Sequence, residues 1–168
     1  ELYRRKLAVL DPQPSARVER AATSFRLAEH LELGGSSEEA RSLYVLLSVA
    51  ESGTSGFGAR LALFARRRLG ILGKAWEDAA SACRDLSRIA GHAGLGRSYL
   101  RRAAELADAR VTDGELATEL YGELFQGDAG DPGTMRALAR LHLTRSKNRE
   151  LVGLLEAFGQ ARGDLRPA

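Results

Sequence analysis

Residues 21–50, AATSFRLAEHLELGGSSEEARSLYVLLSVA, read as two amphipathic helices joined by a tight turn. Leu27, Ala28 and Leu31 recur at the three-and-four spacing that puts them on one helical face. Gly34 and Gly35 end that helix, and Ser36 with Glu39 has the spacing of a capping box opening the next, which carries Ala40, Tyr44 and Leu47. A pair of helices this short cannot bury both apolar faces alone, so the stretch demands copies of itself on either side.

Copies are present. A small residue flanked mostly by apolar residues four and one before it and three after it recurs at Ala28, Ala65, Ala104 and Ala139, with Ser24, Arg68 and His142 the departures from the apolar rule. Second-helix anchors keep step as Ala40/Tyr44/Leu47, Ala79/Cys83/Leu86, Ala117/Tyr121/Leu124 and Leu151/Leu155/Phe158. Ala28, Ala40, Ala79 and Ala104 are expected where paired helices touch. Thr112 with Glu115 repeats the capping-box spacing. Residues 1–10 read as the end of a second helix, closed by Pro12 and Pro14, with Ser15 capping the next helix.

The period and the small residues at helix contacts resemble the tetratricopeptide repeat (TPR), most closely in LAEHLELGGSSEEARSLY, YRRKLAVLDP and LARLHLTRSKNRELVGLLE. The family's first-helix Trp is replaced by Ser24, Leu61, Leu100 and Met135, and the turns inside repeats two and three read as longer than the family's. The resemblance implies an all-α, right-handed α-solenoid of stacked antiparallel helix hairpins, one domain over residues 1–168 with about four hairpins after a leading half-repeat. It also implies part of a longer array, able to self-associate through its end repeats. In the family, first helices line a concave groove that holds an extended peptide or a partner's helix. The matching positions are Phe25, Glu29 and Glu32; Ala62, Arg66 and Leu69; Arg101, Glu105 and Asp108; Arg136, Arg140 and Leu143. Phe25 and Glu29 replace the Lys and Asn of the chaperone-binding branch's carboxylate clamp. Arg66, Arg101, Arg136 and Arg140 form a strip able to fork onto carboxylates of an acidic segment, or to pair within the chain, as Arg101 with Glu105 four residues on.

The expected role is a non-catalytic protein-interaction scaffold with a protein or peptide partner. The alternative is a structural spacer with no ligand of its own. Composition agrees: 44% hydrophobic and 28% charged residues describe a folded helical chain, and only 6% aromatic content leaves the core to Leu and Ala. With 25 basic against 22 acidic residues the excess charge is small, and the groove positions Glu29, Arg66, Glu105 and Arg140 change sign without a repeating code, so nucleic acid is not favoured. No apolar run has membrane length and no secretory segment is present, so the cytoplasm is the expected setting, with no membrane insertion.

Other features carry structural readings. Cys83 falls on an apolar helix face, as a small core residue rather than a reactive thiol. His30, His92 and His142 fall in separate repeats, so no metal site and no cofactor is expected. Residues 51–58, ESGTSGFG, and 91–96, GHAGLG, read as turns, the latter without the strand and Lys-Ser/Thr of a phosphate loop, and GDAGDPG at 127–133 lacks the ligand spacing of a calcium loop. The next first helix is expected over 99–109. Arg66, Arg67 and Arg68 spread around their helix as a solvated face with stems packed on apolar surface rather than as a phosphate patch, and Trp76 anchors a turn, with ligand stacking as the other reading.

Overall fold

A computed structural model describes residues 2–10, 17–50 and 57–163. The expected proline break, the Ser15 cap and most of the 51–58 turn lie outside these residues. The described chain is all-helical: α1 (Leu2–Val9), α2 (Arg17–Leu33), α3 (Ser37–Ala50), α4 (Phe57–Leu72), α5 (Trp76–Arg88), α6 (Ala93–Arg110), α7 (Glu115–Gly127), α8 (Pro132–Thr144) and α9 (Asn148–Arg162). Each helix packs on its neighbours in the chain, and α2 also meets α4.

Three turns share one geometry. Ser36, Ala75 and Lys147 each donate a backbone N–H to the carbonyl five residues back, on Leu31, Gly70 and His142, at 2.8–2.9 Å. The preceding residue takes a left-handed conformation, Gly35 at φ 85°, Lys74 at φ 56° and Ser146 at φ 55°. This geometry alters two expectations. The turn of the second unit has the length of the first, so Ala28 aligns with Arg67 and not with Ala65. The close approach there is made by Gly70, where an added Cβ would stand 3.0 Å from both Cβ and N of Ala79. The Ser36–Glu39 capping box is also displaced: the Ser36 N–H is taken by Leu31 and the Glu39 carboxylate by Arg4 at 2.8 Å. In the third unit Gly114, at φ 67°, is the N-cap of α7, and the Glu115 N–H donates to the Asp113 carboxylate at 2.6 Å, so Thr112 and Glu115 form no box.

The segment expected as a loop at 91–96 is mostly helix. His92 caps α6 by accepting from the Gly94 N–H at 3.1 Å. Gly96 is then required for contact: a Cβ there would lie 2.8 Å from the Ser87 carbonyl oxygen of α5.

Among the described residues, the buried apolar side chains apart from Tyr44, Tyr121 and Cys83 are all Ala and Leu. One cluster joins α2, α3 and α4 around Ala28, Ala40 and Tyr44, and a larger one runs from α5 to α9 through Cys83, Ala104, Leu120 and Leu138. The anchors of the first three second helices are buried, but on α9 it is Leu154 that is buried while Leu155 is 48% exposed.

Links also join helices two apart in order. Glu32 of α2 pairs with Arg68 of α4, and Asp108 of α6 with Arg140 of α8. Phe64 of α4 meets Tyr99 of α6 edge-on at 5.9 Å. Arg84 of α5 reaches both Glu119, at 2.6 Å, and Glu123 of α7. Each of these partners lies 32–39 residues away, about one repeat.

Candidate groove between α2 and α4

Phe25 and Glu29 stand one turn apart on α2 and face α4 across two adjoining hollows of about 410 and 460 Å³. Both hollows are lined by Phe25, Glu29 and Leu61. Phe25 rests on Tyr44 of α3, ring centres 5.5 Å apart. Across from it, Phe64 is 37% exposed, with the Arg67 guanidinium 5.7 Å from its ring centre. Val18 and Leu72, at 79% and 71% exposure, extend the apolar lining.

The charges inside this groove engage one another. Glu32, bridged to Arg68, also accepts the Tyr44 hydroxyl at 3.4 Å. Burial, followed by the fields of Glu32 and Glu29, pushes the Tyr44 phenol up to about 12, so it stays protonated as a donor. Glu29 pairs with Arg26 at 3.1 Å.

The aligned turns explain which residues meet here. A shift of 39 residues carries Gly35 onto Lys74 and carries Phe25, Glu29 and Glu32 onto Phe64, Arg68 and Ile71, all three of which line the larger hollow. A register set on Ala28 and Ala65 points to Ala62, Arg66 and Leu69 instead, because Ala65 stands two positions before Arg67, the equivalent of Ala28. Ala62 and Leu69 are buried in the core. Arg66, its side chain only 13% exposed, turns to α5 and binds Asp78 at 2.6 Å and Asp85 at 3.4 Å. The three consecutive arginines thus point to three neighbours around the helix, Arg66 to Asp78, Arg67 to the Phe64 ring and Arg68 to Glu32.

Farther along, the expected arginine strip is largely consumed. Arg101 does not pair with Glu105. It reaches Asp131, the N-cap of α8, at 2.5 Å, while Glu105 lies 3.7 Å from Arg102. The Thr134 hydroxyl first, then Arg101 and the Gly133 N–H, hold the Asp131 carboxyl down at about 2. Arg140 is held by Asp108, and Leu143 is 59% exposed. Arg136 donates to the Pro132 carbonyl at 3.1 Å and has no carboxylate partner among the described residues.

Among the described residues no group of His, Cys, Asp and Glu could hold a metal ion, and no helix is long and apolar enough to cross a membrane. Cys83 is fully buried on α5, and desolvation raises its thiol above the ordinary range. Trp76 opens α5 half-buried beneath the Arg110 guanidinium, 5.2 Å from the ring centre.

No protein-family model and no curated protein matches this chain.

Proposed function

We propose that the chain is a TPR-like, right-handed solenoid of stacked hairpins that acts as a non-catalytic scaffold, holding an apolar segment of a protein partner between α2 and α4. The observation that supports it most is the equivalence of Phe25 and Phe64: two partly open aromatics at the same position of successive units flank adjoining hollows. Spacing of cross-links by about one repeat fits a linear stack, in which each unit touches mainly the next. The groove's ionisable groups are tied to one another, and Tyr44 stays protonated at neutral pH, which supports binding over proton transfer. The expected carboxylate-reading arginine strip loses support, because Arg66, Arg101 and Arg140 already hold carboxylates of this chain. That same pairing favours the spacer as a second reading.

The experiment is affinity capture with the parent and with Phe25→Ala/Phe64→Ala. Helicity is checked by circular dichroism. A partner retained by the parent and lost by the folded double variant supports the groove. Equal retention removes the groove from the mechanism, and no partner at physiological salt supports the spacer.

A further inference from the structure

We infer a second protein-binding face at the cleft of about 770 Å³ between α3, the α4–α5 turn and the α6–α7 turn, suited to an acidic, aliphatic segment of a partner. It shares no lining residue with the hollows between α2 and α4.

The repeat explains why a cleft opens here. One unit later, α5 is tied to α7 by Arg84, which reaches Glu119 and Glu123. In the same register α3 carries Val45 in place of Arg84, and α5 carries Ser81 and Asp85 in place of the two glutamates. Asp85 is already engaged by Arg66 and Arg88, both at 3.4 Å. No ionic clasp therefore draws α3 onto α5, and Leu46 beside Val45 is left 64% exposed. Trp76 forms the facing wall, held by Arg110 from the end of α6.

Charge selects the occupant. Of the cleft's ionic groups, Arg41 is engaged by Glu38 at 2.7 Å and Asp78 by Arg66 at 2.6 Å. Lys74, held at φ 56° two residues before Trp76, and Arg110 have no carboxylate partner among the described residues, against Glu77 alone of opposite sign. Two cations beside Trp76, Val45 and Leu46 complement a segment whose aliphatic side chains are flanked by carboxylates.

Trp76 is the chain's single tryptophan, so its emission reports on this cleft. The probe is a short blocked peptide alternating Asp and Leu, with a Lys/Leu peptide as its counterpart. Emission and the anisotropy of dye-labelled peptide are followed together. The Asp/Leu peptide should give a saturable response that weakens with salt and is unchanged in Phe25→Ala/Phe64→Ala, so this result stands apart from the fate of the α2–α4 groove. Charge reversal in Lys74→Glu/Arg110→Glu, with helicity retained, should weaken it by about tenfold or more. Equal or stronger binding of the Lys/Leu peptide, no saturable response, or an unaltered midpoint in the folded charge-reversed variant would overturn the inference. An emission change that tracks protein concentration alone would replace the partner with a second copy of the chain and also overturn it.

Discussion

Replacing Gly96 with alanine probes a close approach between α5 and α6, the tightest site for an added Cβ among the described glycines. The new Cβ would stand 2.8 Å from the Ser87 carbonyl oxygen, with the Ala90 Cβ at 3.6 Å. Backbone cannot swing aside as a long side chain can, so α6 must move off α5 by a few tenths of an ångström. That shift disturbs packing around Ala103, Ala104 and Ala107, all fully buried. Overpacking of this kind costs about 1–3 kcal/mol. Alanine's helix preference over glycine offsets up to about 1 kcal/mol in a helix interior, and less at Gly96 in the first turns of α6. The net expectation is a loss of about 1–2 kcal/mol, or a melting temperature lower by roughly 2–8 °C for a chain of this size. Gly153→Ala is the matched control: Gly153 lies inside α9 with nothing within 4 Å of an added Cβ, so the same substitution there should stabilise by about 0.5–1 kcal/mol. Thermal melts followed at the helical band read both. A Gly96→Ala protein that melts with or above the parent would refute the close α5–α6 approach.

Asp131 caps α8 and receives Arg101, with its carboxyl lowered from 3.8 to about 2. It therefore adds stability above pH 3.8 that is lost as the pH falls through about 2. Asp131→Ala should destabilise by about 2 kcal/mol at pH 7 and by much less near pH 2, as read by urea melts at each pH. His142 holds its Nδ1 buried without a partner among the described residues, and desolvation lowers its pKa below 6.5, opposed by Glu150 and reinforced by Lys147 and Arg145. The folded state thus prefers neutral imidazole, so stability is full above pH 6.5 and declines as the pH falls toward the lowered folded value. His142→Leu should remove that decline, and identical pH profiles for variant and parent would contradict it.

What the sequence made legible follows the range of the interactions. Ala28, Ala40, Ala79 and Ala104 are each fully buried, because small residues at three-and-four spacing mark helix contacts whatever their neighbours are. The same rule misled at Ala65, since the small residue that lets α4 touch α5 is Gly70, and glycine reads first as a breaker. Gly94 and Gly96 place the expected start of α6 too late for the same reason, whereas Gly94 serves the local His92 cap and Gly96 answers the Ser87 carbonyl of another helix. The missing register signal was present in the turns: GGSSEEA at 34–40 and GKAWEDA at 73–79 align residue for residue and bring Phe64 and Arg68 under Phe25 and Glu29. Ionic partners were beyond local reading. Helical spacing offers Arg101 only Glu105, whereas its partner Asp131 comes from a turn 30 residues away.

The account rests on each unit packing against the next, and one contact reports this without mutation. Phe64 and Tyr99 are 35 residues apart in sequence and meet edge-on with ring centres 5.9 Å apart. Nuclear Overhauser spectroscopy with selectively labelled Phe and Tyr resolves such pairs in a chain with five phenylalanines and four tyrosines. The stack predicts a Phe64–Tyr99 ring cross-peak between units alongside the Phe25–Tyr44 cross-peak within the first. A Phe25–Tyr44 cross-peak with none between Phe64 and Tyr99, both rings being assigned and sharp, would contradict it.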